Sequence, residues 1–126
     1  MPTELTSVPL TVSMDSIRKY AEITDDYNPL HLDEAFAAKT PMKGVIAHGT
    51  MSLSLIWQSL TATFGIEHIK DISVTIRFKK PVRPGDSLTA RGTQIDGNPN
   101  SYEVWVENQK GDRVIEGKAE VKAASA

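Results

Sequence analysis

The sixteen residues from Gly49 to Phe64 constrain this chain more than any other segment. Leu53, Ile56, Trp57, Leu60 and Phe64 recur at helical spacing and mark one stripe, while Met51 and Leu55 are apolar on other sides. A helix that is apolar nearly all round has to be almost enclosed in a small protein, because each uncovered face leaves hydrocarbon in water. The next part of the chain supplies a cover. From Ile69 onward the hydrophobic period changes from helical to two, with Ile72, Val74, Ile76 and Phe78 facing one way and Ser73, Thr75, Arg77 and Lys79 the other. Ser87 to Ile95, Ser101 to Asn108 and a last run with Ile115, Gly117, Ala119 and Val121 on one face predict three more strands. The turn clusters Pro84-Gly85-Asp86, Asp96-Gly97-Asn98-Pro99-Asn100 and Lys110-Gly111-Asp112 separate them. The expected architecture is α+β, a curved antiparallel sheet wrapped around one central apolar helix.

The N-terminal third adds smaller elements. Leu5 to Val12 alternates loosely and predicts a first strand. Ser13 is placed to cap a helix from Met14 to about Thr24, with Asp15 in the first turn favoured by the helix dipole. Asp33 is placed to cap a short second helix, Glu34 to Ala38, and Gly65 to end the apolar one. Ala123 to Ala126 reads as a frayed tail. At 126 residues the whole chain, 1–126, is expected to be a single domain. An open sheet of this size leaves an edge strand exposed, and pairing two such edges across a two-fold axis makes a homodimer the physical expectation.

Composition excludes several functions. A net charge of -2 gives no reason to expect nucleic acid or an anionic membrane surface as a partner. With no cysteine there is neither a thiolate metal site nor thiol catalysis. The three histidines fall into no HxH or HExxH spacing, so no metal is expected, and no Gly-rich phosphate loop suggests another cofactor. Ser52 and Ser54 lack the Gly-x-Ser-x-Gly elbow of a hydrolase triad. The start Met1-Pro2-Thr3-Glu4 has no signal-peptide pattern, and no apolar run nears the ~18 residues of a membrane span, so a cytoplasmic location is expected.

Chemistry concentrates in Asp26-Tyr27-Asn28-Pro29-Leu30-His31. On a continuous helix, a carboxylate and an imidazole five residues apart would diverge around the axis. Pro29 disfavours helical geometry at Asn28, so the chain turns there and can aim Asp26 and His31 into one pocket. An acid and a base facing one water are what adding or removing water across a double bond requires. The competing reading is an Asx-Pro turn with a solvent-facing Asp and a half-buried His.

Three segments together resemble the MaoC-like, (R)-specific enoyl-CoA hydratases, which have the hot-dog fold. They are Thr24-Asp25-Asp26-Tyr27-Asn28-Pro29-Leu30-His31, Ile46-Ala47-His48-Gly49-Thr50-Met51, and Arg77-Phe78-Lys79-Lys80-Pro81-Val82-Arg83-Pro84-Gly85-Asp86. The resemblance implies a hydro-lyase that adds water reversibly to trans-2-enoyl-CoA. Asp26 and His31 would be its catalytic pair, one activating water and the other carrying the proton. The backbone N–H of Gly49 would face the thioester oxygen. Asn28 either orients the pair or binds substrate, or else bonds only its own turn backbone. His48 either lines the pocket or makes a structural hydrogen bond, and His68 is expected to be solvated. Arg77, Lys79, Lys80 and Arg83 would meet the phosphates of coenzyme A near the dimer seam, or form a solvated strand face. An acyl carrier protein could present the acyl chain instead of coenzyme A.

The chain departs from the family at two places. Asp25 stands where relatives usually have Gly, and Trp57 stands near a small hydroxyl residue of several relatives, so Trp57 is expected to shape a different acyl pocket. A hot-dog acyl-CoA thioesterase and a non-catalytic acyl-binding subunit of a heteromeric hydratase are the alternative functions.

Overall fold

A computed structural model describes residues 2–122; the tail at 123–126, expected to fray, lies outside them. The chain runs β1 (Val8–Thr11), α1 (Met14–Thr24), α2 (Pro29–Leu32), α3 (Glu34–Ala38) and α4 (Gly49–Phe64). A 3-10 helix (Ile66–Asp71) follows, then β2 (Ile72–Phe78), β3 (Ser87–Ile95), β4 (Asn98–Glu107) and β5 (Arg113–Val121). All five strands form one antiparallel sheet in the order β1-β3-β4-β5-β2. This is the hot-dog architecture, α+β.

Capping explains the helix limits. Ser13 and Ser16 exchange side-chain and backbone bonds to start α1. The Asp33 carboxylate accepts from Phe36 N to start α3. Gly65, at φ 92°, ends α4 in a conformation other residues adopt with strain. The first strand is half its expected length because Thr6 bonds to the helix instead. Its N–H donates to Thr63 Oγ1 and its carbonyl accepts from Ser59 Oγ. The β3–β4 turn is tighter than expected. Ile95 pairs directly with Asn98 across Asp96-Gly97, so β4 begins three residues before the expected Ser101 and takes in Pro99.

The buried face of α4 carries Met51, Leu55, Ile56 and Leu60, together with Ser52 and Ser59. It is rotated from the expected stripe, and Leu53, Trp57 and Phe64 are only half-buried, so the helix is not enclosed on all sides. The helix lies across β1, β3 and β4. There it meets Leu88, Ala90, Tyr102, Val104 and Val106, all buried, and Phe64 packs edge-on to Tyr102 at 5.7 Å. The edge strand β2 reaches the helix only at its end, where the Phe78 ring lies against Gly49. Burial fades along β2 from Ile72 to Phe78, which is 57% exposed. Among the described residues no helix is long and apolar enough to cross a membrane.

Candidate active site

The end of α1 sets the site. Asp25 takes the left-handed conformation at φ 54°, ψ 36°, which turns the chain out of the helix axis. The Asn28 side chain accepts from Leu30 N at 3.0 Å, and Pro29 follows at the first helical position of α2, where its missing N–H costs nothing. Asn28 is thus a cap. Its backbone N–H also donates to the Asp26 carboxylate at 3.3 Å. The turn expected at Pro29 is the start of an extra one-turn helix.

His31 sits on that short helix and is held by the loop before α4. Ile46 N donates to Leu30 O at 3.3 Å, and His31 Nδ1 lies 2.7 Å from Ile46 O. A carbonyl only accepts, so Nδ1 carries a proton, and in the neutral ring the lone pair is on Nε2. His48 is 2% exposed and donates from Nε2 to the backbone carbonyl of Asp26 at 3.0 Å. Its ring stacks on that of His31 with centroids 4.0 Å apart and 28° between planes. Tyr20 packs on His48 at 5.1 Å and donates to Thr50 Oγ1 at 2.8 Å. His48 therefore joins the Asp26 turn to the start of α4 and gives His31 a platform.

Polar atoms of Asp26, His31 and His48 lie within 4.8 Å of one another. Two hydrogen bonds from one water, at its tetrahedral angle, span about 4.5 Å, which lies within that limit. The same cluster suits a metal poorly. Stacked imidazoles direct their in-plane lone pairs side by side, not toward one point as tetrahedral zinc requires.

His31 also lines a cavity of about 290 Å³ between the start of α4 and the end of β2. Its wall is mainly apolar, with Met42, Ile46, Ala47, Phe78, Pro81, Val82, Val114 and Ile115, and the polar groups are His31, Gly49, Ser52, Lys79 and Lys80. Gly49 opens α4, whose first turn has no side-chain cap and so leaves backbone N–H groups free. A Cβ at Gly49 would stand 2.9 Å from the Phe78 ring, so glycine lets that ring rest against the helix start.

Other nominated residues fall elsewhere. Asp26 is exposed and stands outside the cavity wall, and Asn28 and His48 do not line it either. Trp57, two turns along α4, is also absent from the wall. His68 is solvated on the 3-10 helix beside Glu67. Arg77 donates to Glu116 at 2.9 Å and holds that carboxyl below its ordinary pKa, with Lys79 adding in the same direction. Lys80 pairs with Asp112 at 3.1 Å, and Arg83 bonds the carbonyls of Met42 and Val45, fixing the loop that carries Ile46. Ser52 and Phe78 were not nominated from the sequence. The helical spacing of Gly49 and Ser52 is the one signal that pointed to either.

Asp25 stands in a left-handed conformation that glycine reaches freely and aspartate at some cost. Asp25→Gly should leave activity intact and raise stability by up to ~1 kcal/mol, read from the thermal midpoint. A loss of activity would mean that the Asp25 carboxylate takes part in the site.

Residues 3–125 match the family model described as MaoC like domain. A 3-hydroxybutyryl-CoA dehydratase of Methylorubrum extorquens is 43% identical over 80 residues, 64% of this chain and 51% of that protein. An (R)-specific enoyl-CoA hydratase of Rhodospirillum rubrum is 33% identical over 118 residues, 91% of this chain and 82% of that protein. The chain thus spans about half the length of the first relative and most of the second. An unliganded R-hydratase of Pseudomonas aeruginosa superposes with a TM-score of 0.78 at 29% identity, over 98% of this chain and 81% of that one.

Proposed function

The chain belongs to the MaoC-like domain family, and from that membership we propose that it is an (R)-specific enoyl-CoA hydratase, adding water reversibly to a trans-2-enoyl-CoA to give the (R)-3-hydroxyacyl-CoA. The observation that carries this reading is the fixed tautomer of His31 beside a carboxylate. With Nδ1–H held by Ile46 O, the Nε2 lone pair and the Asp26 carboxylate can each accept a hydrogen from one water. The water oxygen then attacks the β-carbon. One of its protons passes to the pair and is returned to the α-carbon on the same face, so the elements of water are added and both groups are restored. The negative charge that develops on the thioester oxygen meets free N–H groups at the start of α4, with Gly49 nearest the cavity.

Lys79 and Lys80, at the cavity wall, are the cations we assign to the phosphates of coenzyme A. Their carboxylate partners are partly exposed, and such pairs are weak enough to exchange for a phosphate. Arg77 and Arg83 have other work. The outer edge of β2 has no partner strand among the described residues, and we assign it to a second copy of the chain.

Incubating the purified chain with crotonyl-CoA tests the proposal. Loss of the conjugated enoyl absorbance without release of free thiol is expected. Thiol release would identify a thioesterase, and binding without turnover an acyl-binding subunit. Raising ionic strength should raise KM and leave kcat nearly unchanged, because screening weakens the exposed phosphate contacts. A KM insensitive to salt would remove the lysines from the assignment.

A further inference from the structure

Ser52 is 2% exposed, lines the cavity and follows Gly49 by three positions, on the same face of α4. The other hydroxyls around it are occupied. Ser54, Thr61 and Thr63 donate to carbonyls of the preceding turn, Ser59 donates to Thr6 O, and Thr50 accepts from Tyr20. Ser52 makes no hydrogen bond to another of the described residues, and its Oγ is not among the side-chain atoms sealed away without a partner. A hydroxyl in a mainly apolar wall, free of the usual bond to its own helix, is available to a bound molecule.

The geometry points to Ser52 as a second donor to the thioester carbonyl oxygen, alongside the backbone N–H of Gly49. This rests on the hydratase reading, which supplies the thioester. An enoyl thioester offers one acceptor near its reacting carbons, the carbonyl oxygen, and it gains negative charge as water adds. The N-terminal N–H groups of α4 approach that oxygen from the helix start, and a hydroxyl one turn further in reaches it from the cavity wall. Two donors hold the acyl group in one orientation toward His31 where a single donor leaves it free to pivot.

The test compares butyryl-CoA with S-butyl-CoA, the thioether that lacks the carbonyl oxygen, by calorimetric binding to the full chain. Ser52→Ala removes the hydroxyl, and Ser52→Cys keeps nearly the same volume with only a weak donor. Both variants should bind butyryl-CoA about threefold to tenfold more weakly than the parent and S-butyl-CoA equally well. Both should also lower kcat for crotonyl-CoA by on the order of tenfold to a hundredfold. Equal weakening for the two ligands, or recovery in Ser52→Cys, would make Ser52 a packing residue and overturn the inference. If the parent binds both ligands but hydrates nothing, the hydratase reading fails while the thioester contact is still measured. If it binds neither, both fail.

Discussion

Asp26→Asn and His31→Ala each lower kcat for crotonyl-CoA hydration by on the order of a hundredfold or more, as loss of a positioned acid or base does. Neither should greatly change the thermal midpoint. Asn retains a side-chain oxygen able to accept from Asn28 N, and His31 is half-buried and gives up one bond, to Ile46 O. The double variant should lose much less than the product of the two single losses, because groups that share one water act as a unit. Stopped assays at saturating substrate, beside thermal unfolding of the same preparations, separate lost chemistry from lost structure. Near-normal turnover in Asp26→Asn would leave the Asp-Asn-Pro turn with a structural role only.

Gly117→Ala should be the most damaging single methyl addition in the sheet. Gly117 faces Ile76 on β2 and Val104 on β4. A Cβ there would stand 2.1 Å from Thr75 O and 2.7 Å from Ile76 Cα, both backbone atoms that cannot swing aside. Relief requires β2 to move off β5, and β2 delivers Phe78 to the cavity and leads into Lys79 and Lys80. Overpacking of this kind costs about 3 kcal/mol, or a fall of roughly 10 °C in the midpoint for a domain of this size. Gly111→Ala is the contrast. Nothing lies within 4 Å of its Cβ position, and only its φ of 79° opposes the change, so about 1 kcal/mol is expected. Equal losses in the two variants would show that the sheet absorbs the contact at Gly117 by a small shift.

The elements that declare themselves locally were legible in the sequence. Ser13 and Asp33 mark the starts of α1 and α3 because each cap bond involves residues three apart. Period two gives β3 its observed limits. The apolar run from Gly49 to Phe64 gives α4 its limits but not its orientation. Ser52 and Ser59 take buried positions that hydrophobicity assigns to Leu53 and Trp57, since one lines a cavity and the other bonds Thr6. The short helix α2 was hidden because proline reads equally as a helix breaker and as a first helical residue. The hairpin was misplaced because Pro99 reads as part of a turn, although the sheet accepts it in the second position of β4.

The candidate site divides in the same way. The pairing of Asp26 with His31 follows from a turn within six residues, so the sequence could carry it. The links from His48 to Asp26 O and from His31 to Ile46 O span 22 and 15 residues, and only the assembled fold brings those groups together. The contact of Phe78 with Gly49 depends on where the edge of β2 comes to lie against α4, which no local pattern encodes.

The most direct measurement is the configuration of the product formed from crotonyl-CoA by the purified chain, read by chiral separation of the released 3-hydroxybutyrate. The account predicts the (R) enantiomer, formed with no free coenzyme A thiol before the hydrolysis step and lost in Asp26→Asn. The (S) enantiomer, or free thiol in place of a hydroxyacyl product, would contradict it.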